Sequence, residues 1–421
     1  MIVSRKLIAQ VVLLLSVSCL LLFAEINQFP IILGFFTTAF LAYFYLLYTC
    51  ISLKNGLILA VSLRMLAIFC FPGLSDDIYR FIWDGWLVTE GINPFKFLPS
   101  EIPLDLNTFQ EYLLNKMNSP DYYSVYPPIL QGLFSSAVYI IPEAIIWQSI
   151  YIKTILIGFE CLTIYLSIRI LKSIGKSEKS VLIYALNPLV IVELMGNLHM
   201  ELLMISFFTV FLFYLNRYFQ SKSESNSITY LALAAVGLVF SVSSKLITLI
   251  VAPFLIRRVK PKGLIIVSFV SILLGGLMFY PLLSTGLENF TKGLDLYFQK
   301  FEFNASVYYL IRQIGYWFKG YNIISSLGPV LGIISTILIL ILAFLKSDKT
   351  ISSISLYLSL ALVIYYFLGT TVHPWYISVL IFLSVFSTLK FVIFWSFLAV
   401  FSYSKYYLYI VIKQNYILLQ D

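Results

Sequence analysis

The stretch SDDIYRFIWDG, residues 75–85, concentrates acidic side chains in a chain that is 11% charged and 60% hydrophobic. Ser75 is a predicted helix N-cap, which places Asp76 and Asp77 in the first turn, where the helix dipole favours carboxylates. Arg80 follows at a spacing that reaches either aspartate. A carboxylate kept ionised there could act as a general base at the water–lipid boundary. The alternative is a surface helix with a weak ion pair.

Asp84 lies two helical turns beyond Asp77 on the same predicted face. We expect it to contribute less than Asp77 to any acid–base chemistry, because of that separation.

Cations that could bind an anion are few on the side of the chain where these acids lie. Lys245 falls at the turn of a short hairpin, and Arg312 ends the segment FNASVYYLIR. Arg80 can hold either aspartate or contact an anion. The alternative for Lys245 is a snorkelling lysine, and for Arg312 a solvated loop residue.

The chain has two histidines, His199 and His373, and both fall at the ends of predicted apolar segments. His373 and Tyr376, in HPWY, are candidates for phosphate or sugar contacts. Asn197, His199 and Glu201, in GNLHME, are candidate binding residues, but their spacing is not a standard metal-ligand set. A divalent metal is therefore possible but not expected, and no cofactor is predicted.

Aromatic and amide side chains add weaker candidates. Tyr126 and Trp375 can stack on a sugar or belong to an interfacial aromatic belt. Asn304 can bind a sugar hydroxyl or cap a helix. The four cysteines are scattered singly through apolar segments, which indicates packing residues.

Apolar runs of spanning length recur from end to end, so we predict an all-α polytopic membrane protein with about 12–13 transmembrane helices. Leu7–Ala24 is interpreted as a retained signal anchor, since no cleavage site follows it. The predicted spans are 7–25, 29–52, 56–72, 145–170, 181–196, 199–216, 228–243, 245–256, 263–282, 326–346, 352–371, 374–389 and 391–412.

Charge sets the predicted orientation. With the N-terminus inside, most lysines and arginines fall in short cytoplasmic loops. The long loops 73–126 and 283–325 then lie outside the cytoplasm. The apolar stretch 127–142 is short and bounded by prolines, so it is predicted to be re-entrant or interfacial. The hairpin 228–256 allows only short arms on either side of its turn.

Several short motifs follow one another in a fixed order. They are SDDIYRFIWDG…EGINPFKFLP from residue 75, YPPILQ at 126–131, NPLVIVELMGNLHME at 187–201, SSKLITLIVAP at 243–253, FEFNASVYYLIR at 301–312 and HPWY at 373–376. This ordered set resembles bacterial GT-C glycosyltransferases, and among them the polyprenol-phosphate-mannose-dependent mannosyltransferases. GNLHME departs from relatives that often carry Asn and then Asp after the histidine, which leaves the role of Glu201 open.

The resemblance implies one GT-C-like transmembrane domain over residues 1–421 of a bacterial inner-membrane protein. It implies transfer of a hexose, with mannose favoured, from a polyprenyl-phosphate sugar to a saccharide or lipid-linked hydroxyl acceptor on the extracytoplasmic face. Asp77 matches the family's likely base in DIYR, and Asp76 stands beside it. An inverting displacement of this kind needs one essential carboxylate, cations for the phosphate and an apolar groove for the lipid.

Other classes of function remain as alternatives. A transporter or flippase of lipid-linked saccharides would use ionisable residues deep in the membrane, for which Lys153 and Glu160 are the main candidates. A scaffold protein would not need the acidic loop for activity. A nucleotide-sugar donor is disfavoured because no Gly-rich phosphate loop appears. Nucleic acid is not an expected partner, since the net charge of +8 is distributed over short loops between spans, and membrane lipids are the expected surroundings.

Overall fold

The computed structural model describes residues 2–345 and 348–408, and it is built from helices joined by short connections. The first ten α-helices are α1 (Ile2–Phe23), α2 (Phe29–Tyr48), α3 (Leu53–Ile68), α4 (Asp77–Thr89), α5 (Thr108–Lys116), α6 (Pro128–Ile140), α7 (Ile145–Ser173), α8 (Leu182–Ala185), α9 (Pro188–Val190) and α10 (Glu201–Gln220). The others are α11 (Glu224–Ser244), α12 (Ala252–Ile256), α13 (Pro261–Met278), α14 (Tyr280–Thr285), α15 (Leu287–Gln299), α16 (Val307–Lys319), α17 (Ile324–Phe344), α18 (Ile351–Leu368), α19 (Ile377–Ser384) and α20 (Phe391–Leu398).

Nine helices in the described part of the chain are long and apolar enough to cross a membrane. A tenth span arises if the pair Glu178–Ala185 and Pro188–Gly196, bent by 56°, counts as one. Three shorter apolar helices add to these: Pro128–Ile140, Leu246–Ile256 and Pro374–Ser384. The prediction of an all-α polytopic membrane protein is confirmed. The helix count reaches the predicted range only when the short helices are included.

The hairpin 228–256 differs from its prediction in one arm. The first arm, α11, has 21 residues rather than a truncated length, because Ser223 caps its N-terminus by accepting a hydrogen bond from the Asn226 N–H. The second arm, Leu246–Ile256, is short as expected. Lys245 lies between the arms with extended backbone, which ends α11. The predicted spans 326–346 and 391–412 both run past the described residues.

The first predicted long loop contains two α-helices, α4 and α5. Asp77 begins α4, and Asp76 rather than Ser75 occupies the N-cap position. The Ser75 hydroxyl instead accepts a hydrogen bond from the Asp77 N–H at 3.3 Å. Helix α4 crosses α6 at Gly85, where an added Cβ would meet the Phe134 backbone at 2.6 Å. The Phe81 and Phe134 rings stack beside this crossing with centroids 4.4 Å apart.

The second long loop folds against the first. Asn289 on α15 donates to the carbonyl oxygens of Phe95 and Lys96 at 3.2 and 3.1 Å. Farther along, Phe303 forms a parallel β-bridge with Thr371, through its N–H to Thr370 O and through the Val372 N–H to its own carbonyl. The segment after α15 is therefore tied to the start of HPWY.

Charged side chains lie buried in the helical core. Arg64 on α3 pairs with Glu160 on α7 at 2.6 Å, and both are about 1% exposed. The Tyr184 hydroxyl donates to the second Glu160 oxygen at 2.9 Å. Helix α13 is the opposite case, because Gly263 is its only buried residue and its other side chains are partly or fully exposed.

Candidate active site

Asp77 lies at the positive end of α4 with its side chain 21% exposed. Its Oδ1 accepts a hydrogen bond from Asn118 Nδ2 at 3.2 Å. Its Oδ2 faces Nδ1 of His199 at 3.8 Å. The carboxylate is thus oriented by neighbours on two sides and remains partly exposed, so that a hydroxyl can come within the hydrogen-bond reach that a general base requires.

His199 is a buried imidazole between two carboxylates. The residue before it, Leu198, has a left-handed backbone (φ 60°), and this turn brings His199 back toward the end of the π-helical segment Ile191–Gly196. Its Nε2 lies 3.1 Å from Oε2 of Glu193. The other Glu193 oxygen accepts a hydrogen bond from the Tyr403 hydroxyl.

Four rings form a continuous column that starts at His199. Trp375 stacks on His199 with centroids 3.6 Å apart, and His373 stacks on the opposite side of Trp375 at 4.4 Å, with the planes 6° apart. Phe303 stacks on His373 at 4.9 Å. The column joins the histidine beside Asp77 to the segment that carries Phe303.

Lys405 lies over the Phe303 ring, 5.1 Å from its centroid, and a second cation, Lys245, lies beside the column at Tyr376. The Lys245 ammonium forms an ion pair with Glu201 and lies 4.6 Å from the Tyr376 ring centroid. Tyr376 meets His373 edge to face at 5.3 Å. About a third of the Lys245 side chain stays exposed. The structure therefore brings Asp77, His199, Glu201, Lys245, His373 and Tyr376 into one connected set.

Two titratable groups, one in this set and one next to Asp77, have shifted pKa values. Burial lowers the pKa of His373 to about 3, helped by the charges of Lys245, His199 and Lys405, so the imidazole is neutral near pH 7. Partial burial and the adjacent charge of Asp77 raise the pKa of the Asp76 carboxyl, and Lys116 opposes that shift. The site thus has a neutral hydrogen-bonding ring close to a lysine.

Arg80 does not hold Asp76 or Asp77, and that part of the prediction is wrong. Its Nε donates to Asp84 at 2.7 Å, and its Nη1 donates to the carbonyl oxygens of Ser119 and Tyr122. Asp84 is fully buried and also accepts from Ser124 and Gln131. The cause is packing, because this face of α4 lies against α6 and the 119–124 segment rather than in solvent.

Tyr126 belongs to the same side of α4. Its ring meets Phe81 and Phe134 edge to face at 5.0 and 5.7 Å. The structure therefore places it in an aromatic cluster with Phe81 and Phe134.

Arg312 and Asn304 lie in the second long loop, beside the column. Arg312 forms an ion pair with Glu302, which also accepts hydrogen bonds from Tyr308 and Asn322. Asn304 has a left-handed backbone (φ 49°), and its amide donates to Val372 O at 3.4 Å. These residues shape the segment that presents Phe303.

Asn197 ties two parts of the site together. Its Oδ1 accepts a hydrogen bond from the Leu74 N–H at 3.1 Å, and its Nδ2 donates to Glu193 Oε2 at 3.4 Å. Because Asn197 is 3% exposed, its observed role is to join the segment before Asp77 to the segment before His199.

Several contributing residues had no distinctive sequence signal. Asn118, Glu302 and Phe303 lie between helices, and the partners of Asn118 and Phe303 are distant in the chain. In the part of the chain that the structure describes, no group of three or more His, Cys, Asp or Glu side chains is placed to hold a metal ion.

A polytopic helical membrane protein with a carboxylate, an imidazole pair and a lysine gathered at one place has the groups for proton transfer and anion binding. Residues 34–260 match the family described as alpha-(1->6)-mannopyranosyltransferase, N-terminal domain. The chain belongs to this family, and it is a membrane mannosyltransferase that uses a sugar donor and a glycan acceptor. No curated protein matches the sequence significantly.

The family match covers part of the site. Asp77, His199, Glu201 and Lys245 lie within residues 34–260, whereas His373, Trp375 and Tyr376 lie beyond it. The aromatic column is therefore completed by the part of the chain outside the match.

Proposed function

We propose that the chain transfers mannose from a polyprenyl-phosphate donor to a sugar hydroxyl by a single inverting displacement outside the cytoplasm. The observation that supports this most is the connected set from Asp77 through His199, Trp375 and His373 to Tyr376 and Lys245. It offers a carboxylate, Asp77, at one end and a cation, Lys245, which is paired with Glu201, at the other. A displacement with a phosphate leaving group needs both a carboxylate base and a cation.

In the proposed step, Asp77 accepts the proton of the acceptor hydroxyl. The acceptor oxygen bonds to the anomeric carbon while the bond from that carbon to the phosphate oxygen breaks. The electron pair leaves with the polyprenyl phosphate, which has a low pKa and needs no general acid. The Lys245 ammonium stabilises the negative charge on the departing phosphate, and the neutral His373 ring donates a hydrogen bond to it.

The family description supports an α-(1→6) linkage in the product. An α-(1→6) bond, as the family description names it, places the new glycosidic oxygen on the primary hydroxyl of an acceptor hexose. Inversion gives an α product only from a donor whose sugar is joined to phosphate in the β configuration. We therefore propose a β-linked polyprenyl-phosphate mannose as donor.

The deep charges that a transporter would use have structural partners. Glu160 is paired with Arg64 and Tyr184, and the Lys153 ammonium is surrounded by carbonyl oxygens. These contacts favour the enzyme over the transporter alternative.

The test uses purified protein in liposomes with a mannan oligosaccharide acceptor. Polyprenyl-phosphate mannose, polyprenyl-phosphate glucose and a nucleotide-linked mannose are offered separately as labelled donors. We expect transfer from the first alone, with the label released by an α-1,6-mannosidase. Transfer from the nucleotide sugar, or none from the lipid donor by folded protein, would contradict the proposal.

A further inference from the structure

Lys153, in the first third of the membrane-spanning helix α7, is completely buried and has no carboxylate as hydrogen-bond partner. Its ammonium donates to three carbonyl oxygens, Ala67 O at 3.0 Å, Cys70 O at 2.5 Å and Gly196 O at 2.7 Å. An ammonium has three N–H donors, so these bonds use all of them. A buried charge that is fully hydrogen-bonded in this way has a fixed position.

The three carbonyls belong to two helix ends. Ala67 O and Cys70 O come from the C-terminal end of α3, and Gly196 O comes from the last residue of the π-helical segment. C-terminal carbonyls have no partner within their helix and carry partial negative charge. One lysine therefore caps two helix ends and sets the distance between them.

Both ends lead directly into the site. The chain runs from Cys70 through a short turn to Asp77, and from Gly196 through Asn197 and Leu198 to His199. The Leu74 N–H to Asn197 hydrogen bond joins the two connections halfway. No other element intervenes between the capped ends and the Asp77–His199 pair.

We propose that Lys153 is a positioning residue that fixes the placement of Asp77 relative to His199. The proposal rests on the proposed role of Asp77 as base, but the structural part of it can be tested without that role. Misplacement of a catalytic group by about 1 Å can cost on the order of 100-fold in rate.

The matched pair of variants lies on one helix. Lys153→Met keeps the length of the side chain and removes its donors. Thr163→Val removes a buried hydrogen bond from α7 to Ser206 (2.8 Å) without touching the helix ends that Lys153 caps. Lys153→Gln, which retains two N–H donors, replaces Lys153→Met if that variant fails to fold.

Hydrogen exchange tests the structural part. We expect Lys153→Met to speed exchange in residues 70–77 and 196–200 while exchange in the middle of α3 stays unchanged. Thr163→Val should leave both segments as they are. Unchanged exchange in these segments with Lys153→Met, or an increase spread over all of α3 and α7, overturns the proposal.

A double-mutant cycle with Asp77→Asn tests the link to catalysis. We expect Lys153→Met to lower turnover about 10- to 100-fold in the native background, with donor KM changed less than about threefold, and to change the residual rate of Asp77→Asn less than about twofold. Equal factors in both backgrounds mean a general stability role and overturn the proposal. If Asp77→Asn alone is fully active, the proposed base is wrong, and the exchange data still decide the role of Lys153.

Discussion

Oδ2 of Asp77 lies 3.8 Å from Nδ1 of His199, and the two residues reach this separation from different helix ends. The imidazole is held in place, because Trp375 stacks on one of its faces and Glu193 Oε2 lies 3.1 Å from its Nε2. The geometry gives Asp77 a neighbour at each oxygen, His199 at Oδ2 and Asn118 at Oδ1, while part of its side chain stays exposed.

Asp77→Asn should lower mannose transfer by roughly 10²- to 10⁴-fold, since the amide keeps the shape and loses the proton acceptor. Donor binding should persist, because the groups proposed to meet phosphate lie at the other end of the connected set. Turnover and donor affinity in liposomes are the measurements. Asp76→Asn is the matched control, and a larger loss of turnover there would move the base to Asp76.

Lys245→Met should raise the donor KM roughly 10- to 100-fold, as expected for loss of a charge-assisted hydrogen bond to phosphate. Glu201→Gln breaks the same ion pair but leaves the ammonium free for the donor. Glu201→Gln should therefore raise the donor KM much less than Lys245→Met does. Equal losses in the two variants would mean that the ion pair itself, and not phosphate binding, is what matters.

Arg80→Met should destabilise the protein by about 3–5 kcal/mol, because it leaves Asp84 buried without its ion partner. Adding Asp84→Asn should recover part of that loss, since the buried charge is then gone. Unfolding in detergent measures both variants. A loss of turnover by Arg80→Met with no loss of stability would instead indicate a direct contact with substrate.

Lower pH should destabilise the fold through His373. Its folded pKa is about 3 and its ordinary value is 6.5, so the unfolded chain binds more protons than the folded one between these values. Stability is therefore lost as pH falls below about 6.5. His373→Phe keeps a ring in the column and cannot titrate.

The drop in thermal midpoint between about pH 7.5 and about pH 5 should be smaller in His373→Phe than in the native protein. An identical drop in both would show that other groups carry the acid sensitivity.

The two long loops should be accessible from outside the cytoplasm. Single cysteines replacing the exposed residues Glu101 and Lys319 should react with an impermeant maleimide in intact spheroplasts, whereas one replacing Lys222 should react only after permeabilisation. The background should lack Cys50 and Cys161, which are exposed. The reverse labelling pattern would invert the topology and contradict an extracytoplasmic site.

Part of the site could be predicted because it depends on where spans end. Asp77, His199, Lys245 and His373 all stand at the ends of apolar segments, and positive-inside counting places those ends on one side. Residues that are confined to one membrane-surface layer can contact only other residues near that layer. Their connection in the structure follows from that confinement.

The partner of Arg80 could not be predicted, because helical spacing is symmetric. Asp76 and Asp84 are both four residues away, and only the packing of α4 against α6 decides which one shares the buried face. Arg312 is a similar case, since its acid, Glu302, lies before α16 and is brought back by the loop. The stacking of Trp375 between two histidines likewise depends on contacts between distant segments.

The bare surface of Pro261–Met278 has a consequence for handling the enzyme. Gly263 is the only buried residue of this helix, so much of its surface contacts the lipid or detergent that surrounds the protein. In a bilayer that solvent is ordered acyl chains, whose packing substitutes for missing protein neighbours. A short-chain detergent removes those neighbours and supplies a looser belt, so added phospholipid should help to preserve this part of the fold during extraction.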